Sequence, residues 1–201
     1  MNPVVVVAGT RPEHLKVAEV IRELRALGRR VTYCWTGQHT SPSLAADVFA
    51  ATDGPYPDVV LPWAPITAGR GRPTAMGPDK PPRSVWAAAL RSALAIEPHL
   101  ADAALVLVQG DTASALAGAL AARRVGGLPL AHLEAGLRSY DWTMPEEHVR
   151  VAIDAEADLL LCPSPLAAAT CRIERAALTA KRGRRGSARI AHVGQTGIDS
   201  L

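Results

Sequence analysis

The sequence predicts an α/β protein built on a doubly wound parallel sheet. Three observations carry this reading. Strand-like and helix-like runs alternate along the whole chain, the order that produces a parallel sheet. The opening strand, Val4-Val5-Val6-Val7-Ala8, is an unbroken apolar run, as expected of a strand covered on both faces. Polar motifs follow the strands, at the edge where such sheets hold ligands.

Taken in order, Gly9 ends the first strand and Thr10 caps a helix. Glu13 completes a capping box and Pro12 sits in the first turn. Leu15, Ala18, Ile21, Leu24 and Leu27 keep helical spacing until Gly28. Val31 to Thr36 is a second strand, Ser41 to Ala51 a helix, and Asp58 to Leu61 a short strand. Residues 62–82 are rich in Pro, Gly and Arg and read as a long mobile loop, of a length that is usually either functional or disordered. Arg83 to Ile96 is a helix and Ala103 to Gln109 a strand. Asp111-Thr112 opens a helix that runs to about Val125. Leu128 to Leu133 is a strand, Glu134 to Met144 a loop and Glu146 to Ala157 a helix. Leu159 to Cys162 is a strand, Pro165 to Leu178 a helix and Arg189 to Val193 the last strand.

A chain of 201 residues suits one large domain. That size buries roughly 70% of the unfolded surface, so no disulfide staple is required. Cys34, Cys162 and Cys171 show no metal or redox spacing and read as reduced core thiols, which points to the cytoplasm. The net charge of +3 is modest. Arginines cluster in the run from Lys181 to Arg189, a pattern that can bind nucleic acid or a membrane. The run is short and carries no aromatic residue, so a solvated loop between helix and strand is preferred, with no nucleic-acid or membrane partner. Val4 to Ala8 is too short to span a bilayer and lacks a preceding basic region, so it is neither an anchor nor a signal peptide.

Arg11 and Lys16 flank a helix start, which offers free N–H groups and a positive dipole end to an anion. Equally, Arg11 can pair with Glu13, and Lys16 can be an ordinary surface lysine. Asp111, Glu134 and Glu146 come from three different strand ends. Carboxylates gathered there cannot all ionise freely, and a raised acid beside an ionised one makes an acid/base pair. As plain structure, Asp111 would cap a helix and Glu146 would sit in a first turn. Arg138 and Arg150 can clamp a phosphate or carboxylate, or pair with Glu134 or Glu147. His39, His132 and His148 lie near the same edge without the i+2 or i+4 spacing of metal ligands, so no metal is expected. No G-x-G-x-x-G or Walker pattern occurs, so neither a dinucleotide nor a P-loop site is supported.

These motifs carry a resemblance. Gly9-Thr10-Arg11-Pro12-Glu13 with Lys16, Gly37-Gln38-His39, Gly110-Asp111-Thr112 and His132-Leu133-Glu134-Ala135-Gly136-Leu137-Arg138 stand in order. Pro145-Glu146-Glu147 with Arg150 and Gly194-Gln195-Thr196-Gly197-Ile198-Asp199 follow. The chain resembles, over essentially its whole length, the N-terminal domain of the non-hydrolysing UDP-N-acetylglucosamine 2-epimerases. The resemblance implies a Rossmann-like domain, one half of a two-domain glycosyltransferase-B-type fold. It implies a reaction that removes the C2 proton of UDP-GlcNAc, expels UDP to leave a glycal, and re-adds UDP to give UDP-ManNAc, without a redox cofactor. By resemblance Asp111, Glu134 and Glu146 are the acid/base carboxylates. Arg11, Lys16, His39, Arg138 and Arg150 belong to the substrate site, Arg150 at the diphosphate.

The chain departs from the family at Val149, where Asn is usual, and at Asp141-Trp142-Thr143-Met144, which replaces the usual Ser-Pro. Family members carry most uridine contacts and a catalytic His on a second domain, which the sequence to Leu201 does not include. The expectation is therefore an N-terminal half that works with a C-terminal half in cis or in trans, and forms a homodimer. The alternatives are an inactive homologue that binds or self-associates, and a glycosyltransferase acceptor domain. Three carboxylates argue against the last, because a transferase needs one base.

Overall fold

A computed structural model describes residues 2–38, 49–50, 54–61, 83–182 and 188–196. Seven strands form one parallel sheet: β1 (Val4–Ala8), β2 (Val31–Trp35), β3 (Val59–Val60), β4 (Leu105–Gln109), β5 (Leu130–Leu133), β6 (Leu159–Cys162) and β7 (Arg189–His192). Among the described residues the helices with both ends defined are α1 (Arg11–Ala26), α2 (Arg83–Ile96), α3 (Ala113–Arg124), α4 (Pro145–Glu156) and α5 (Pro165–Arg182). The spatial order is β3-β2-β1-β4-β5-β6-β7. The chain moves outward from β1 through β2 and β3, then returns to place β4 on the other side of β1. The crevice between β1 and β4 is thus the point where strand order reverses, the place where open α/β sheets hold ligands.

β1 explains why its sequence is apolar at every position. Val4 pairs with Val31 on one side and Leu105 on the other. Val5 and Val7 face a core that includes Val106, Val108 and the alanines of α3. Val6 and Ala8 face the opposite core with Val17 and Ile21 of α1, Tyr33 and Trp35. Val5 to Ala8 are wholly buried, so either face would be destabilised by a polar residue.

The doubly wound parallel sheet is as predicted, with trimmed element ends. β4 starts at Leu105 because Ala103 N–H closes onto Leu100 O (3.1 Å), finishing a 3₁₀ turn over Glu97–Leu100 that the sequence reading lacked. β5 starts at Leu130 because Leu128 N–H bonds Ala122 O (3.0 Å) at the end of α3. α5 continues past Leu178 to Arg182, since no Gly or Pro stops it before Gly183. The loop expected over 62–82 and most of the helix expected over Ser41 to Ala51 lie outside the described residues, as does much of the basic run.

Candidate active site

The loops after β1, β2 and β4 are drawn together at the C-terminal edge of the sheet. Thr36 Oγ1 and Ser114 Oγ hydrogen-bond at 2.7 Å, and Gln38 Oε1 accepts from both Ser114 N–H (3.0 Å) and Ser114 Oγ (2.8 Å). Gly9 lies against this junction. A Cβ there would stand 2.0 Å from Thr36 Oγ1 and 2.2 Å from Ser114 Oγ, so only glycine permits the approach.

Glu13 ties the first and fourth strand ends. The capping box is formed: Thr10 Oγ1 accepts from Glu13 N–H, and Glu13 Oε2 accepts from Thr10 N–H at 2.8 Å. The same oxygen accepts from Gly9 N–H (2.9 Å), and Oε1 accepts from Thr112 Oγ1 (2.5 Å). Burial pushes the Glu13 carboxyl up to about 7, against the opposing pull of Thr112 and the two amides. The raised carboxylic acid at this edge is thus Glu13, read from the sequence as a capping residue and candidate partner of Arg11, and not one of the three carboxylates for which a raised acid was expected.

Glu134 follows β5 with a left-handed backbone (φ 65°), a conformation unusual for a residue with a side chain. Lys16 Nζ reaches over from α1 to donate to Glu134 Oε2 at 2.7 Å, and Gln109 Nε2 donates to the same oxygen at 2.5 Å. The other oxygen, Oε1, is buried and has no hydrogen-bond partner among the described residues.

Asp111 does not cap α3. Thr112 does, through its hydroxyl and Ala115 N–H (3.1 Å), which leaves the Asp111 carboxylate to pair with Arg150 Nη2. Arg150 Nη1 also donates to Glu147 Oε2 at 3.0 Å. Glu147 is wholly buried. Burial would raise its carboxyl, but Ser139 N–H and Oγ, Tyr140 N–H and Arg150 together hold it below the usual carboxylate range. Glu146, its neighbour, is exposed in the first turn of α4.

The structure thus brings Lys16 to Glu134 and Arg150 to Asp111, with Glu134 and Asp111 on adjacent strand ends. Arg11 is exposed at the start of α1 and does not pair with Glu13, whose carboxylate is taken by the amides and Thr112. His39 lies outside the described residues. The expected substrate contact of Arg138 meets a side chain that is 2% exposed. Its guanidinium is spent on Asp154 (2.7 Å), Glu174 (3.0 Å from Nε) and Leu137 O (2.6 Å), not on Glu134 or Glu147. Arg138 is an interior ion-pair residue. His132 is buried between Asp154 and the Gly110 carbonyl, and His148 hydrogen-bonds Trp142 O at 2.9 Å. Among the described residues no three His, Cys, Asp or Glu side chains converge as a metal site needs.

Gln109, Glu147 and Asp154 were not among the predicted site residues. Gln109 carries a signal, as a polar residue ending an otherwise apolar strand run, and Glu147 stands in the Pro145-Glu146-Glu147 motif as a candidate partner of Arg150.

Comparison with known proteins identifies the family. The UDP-N-acetylglucosamine 2-epimerase family model matches residues 22–201. The chain is 35% identical over 169 residues to the UDP-2,3-diacetamido-2,3-dideoxy-D-glucuronate 2-epimerase of Pseudomonas aeruginosa, covering 82% of this chain and 42% of that protein. It is 35% identical over 170 residues to a UDP-N-acetylglucosamine 2-epimerase of Methanococcus maripaludis, covering 84% and 41%. Among solved structures, the UDP-GlcNAc 2-epimerase of Methanocaldococcus jannaschii in complex with UDP-GlcNAc and UDP superposes with a TM-score of 0.74 at 30% identity. That match covers 98% of this chain and 47% of the solved one. The chain therefore spans a little under half the length of these relatives, and no described helix is long and apolar enough to cross a membrane. It belongs to the UDP-N-acetylglucosamine 2-epimerase family.

Proposed function

We propose that this chain supplies the acid/base wall of a sugar-nucleotide 2-epimerase site, with UDP-N-acetylglucosamine as substrate. In this reading the C2 proton passes to a carboxylate and the C1–O bond breaks to release UDP. The resulting glycal takes UDP back at C1 and a proton on the other face of C2. Asp111, Glu134 and Glu146 serve as the acid/base groups. Lys16 and Arg150 hold two of them and face the substrate charge, with Arg11 and His39 as further contacts. The observation that carries the reading is Glu134. One oxygen is fixed by Lys16 and Gln109, and the other has no donor among the described residues, the condition of a positioned proton acceptor. A C-terminal half, in cis or in trans, supplies the nucleotide-binding wall and excludes water. The protein works as a cytoplasmic homodimer.

The test is a proton NMR time course with UDP-GlcNAc in deuterated buffer, using the chain alone and mixed with the C-terminal half of a family member. Loss of the C2 proton signal in the completed mixture supports the reading. If a whole family enzyme exchanges the proton in parallel while the completed mixture does not, the chain is a binding or self-associating module and no epimerase half.

A further inference from the structure

We propose that Asp154, in the third turn of α4, is a positioning residue that holds from beneath the two loops carrying Asp111 and Glu134. The proposal deepens the epimerase reading and rests on it for the word catalysis, while the geometry stands separately. Asp154 is 5% exposed and sits below the sheet edge. Its Oδ1 meets His132 Nδ1 at 2.6 Å, and its Oδ2 accepts from Gly136 N–H at 3.0 Å and from Arg138 at 2.7 Å. His132 then carries the reach further, its Nε2 lying 2.8 Å from the Gly110 carbonyl. A carbonyl only accepts, so Nε2 bears a proton and donates.

The placement of these contacts along the chain is what gives the residue its role. His132 stands two residues before Glu134 and Gly136 two residues after, so one carboxylate pins both flanks of the left-handed Glu134. A side-chain residue stays in that conformation only where its surroundings over-determine it. Gly110, held through His132, immediately precedes Asp111. The two loops belong to neighbouring strands, β4 and β5, whose ends are already joined by Gly110 N–H donating to Leu133 O at 3.0 Å and by Gln109 Nε2 donating to Glu134 Oε2 at 2.5 Å. Asp154 adds to these a buried side chain that reaches both loops beyond the strand ends, Gly136 directly and Gly110 through His132. Gly136 fits the same scheme: at φ 82°, a Cβ there would meet Ala167 O at 2.1 Å, so the loop is also pressed onto α5.

Burial alone would raise the Asp154 carboxyl, but His132 and Arg138 more than offset it and hold it below the usual carboxylate range. The result is an interior charge set, with Glu174 as the outer partner of Arg138. An apolar residue would fill the same space without reaching either loop.

Amide hydrogen exchange on the full chain, wild type against Asp154→Asn and His132→Gln, tests the proposal. In Asp154→Asn, the amide of Gly136, which donates to Asp154, and that of Gly110, which donates to Leu133 O beside the His132 contact, should lose protection together, at least about tenfold, while those of β1 and α1 keep theirs. In His132→Gln, the Gly110 amide should lose protection and that of Gly136 should keep it. Turnover in the mixture completed with a C-terminal half should fall about 10- to 100-fold in kcat for Asp154→Asn, with KM within about twofold, as a misplaced catalytic group predicts. Protection lost evenly across the sheet, or at one loop only in Asp154→Asn, would overturn the proposal, as would an unchanged kcat or a loss confined to KM. If Asp154→Asn does not fold, the directional pattern in His132→Gln decides. If the completed wild type shows no turnover, the epimerase reading fails, and the exchange pattern still decides the positioning.

Discussion

Glu13 offers the sharpest quantitative test, because it is buried, titratable and replaceable by an amide of the same shape. Its carboxyl is raised from 4.5 to about 7, chiefly by burial. Below about pH 4.5 the group is protonated in both folded and unfolded chains and adds no pH dependence. Between about pH 4.5 and 7 the unfolded chain has released the proton that the folded chain retains. Each pH unit of rise then favours unfolding by about 1.4 kcal/mol, and the full loss of about 3 kcal/mol is reached above about pH 7. Glu13→Gln removes this titration. Its carbonyl oxygen can accept from the Gly9 and Thr10 amides, and its NH₂ can donate to Thr112 Oγ1. Urea unfolding of both proteins from about pH 4.5 to pH 8 isolates the effect as a difference, since other titrating groups cancel. Relative to wild type, the variant should gain about 3 kcal/mol across that range, or roughly 6–12 °C in Tm for a chain of this size. A difference that stays constant with pH, or one that moves in favour of wild type, would refute the reasoning. It would show that the Thr112 hydroxyl and the two amides outweigh burial.

Two further tests separate packing from chemistry. Gly9→Ala should cost about 1–3 kcal/mol by forcing apart the buried Thr36 and Ser114 hydroxyls. Gly136→Ala should cost at least as much, because a backbone carbonyl cannot retreat and the positive φ adds strain; urea melts read both. Arg138→Met should lower stability by about 2–4 kcal/mol, since the buried Asp154 loses its guanidinium though it keeps His132 and Gly136 N–H. Arg150→Met should cost about 1–2 kcal/mol, since Glu147 keeps Ser139 and Tyr140, yet should abolish turnover in the completed enzyme. Equal stability losses for the two arginines would refute the division between them.

The sheet was legible in the sequence because its determinants are local. The all-apolar β1, the Thr10 to Glu13 capping box and the βα order each state their own structure. Partner choice among charged residues was only partly legible: Arg150 does pair with Glu147, three residues away, but the other pairs depend on which strand ends become neighbours. Arg138 lies four residues from Glu134 and nine from Glu147, yet pairs with Asp154 and Glu174, carried by α4 and α5. Arg150 finds Asp111, thirty-nine positions away. Asp111 itself reads locally as a cap, and only the structure shows Thr112 taking that role. In Glu146-Glu147 the sequence offers two identical carboxylates, and the helix phase turns the second inward to Ser139 and Tyr140 while the first faces solvent.

That pairing exposes how the edge is built. The charged residues fall into a buried set and a rim set. Glu13, Glu147, Asp154 and Arg138 are buried, and each is spent on backbone amides or carbonyls of the loops as well as on side chains. Asp111, Lys16 and Arg150 are only partly covered, and Arg11 and Glu146 are exposed. A loop that follows a strand has few backbone partners of its own, so buried carboxylates supply acceptors for its N–H groups and fix its course. The rim groups are then free to change partners when a substrate arrives, at little cost to the fold. This predicts an ordering across the site. Substitutions in the buried set should be read first in stability and loop protection, and substitutions on the rim first in turnover. Glu134 belongs to both sets, since it is largely buried, strained in its backbone and bonded through one oxygen only. It is therefore the residue at which Glu→Gln should alter both readouts together.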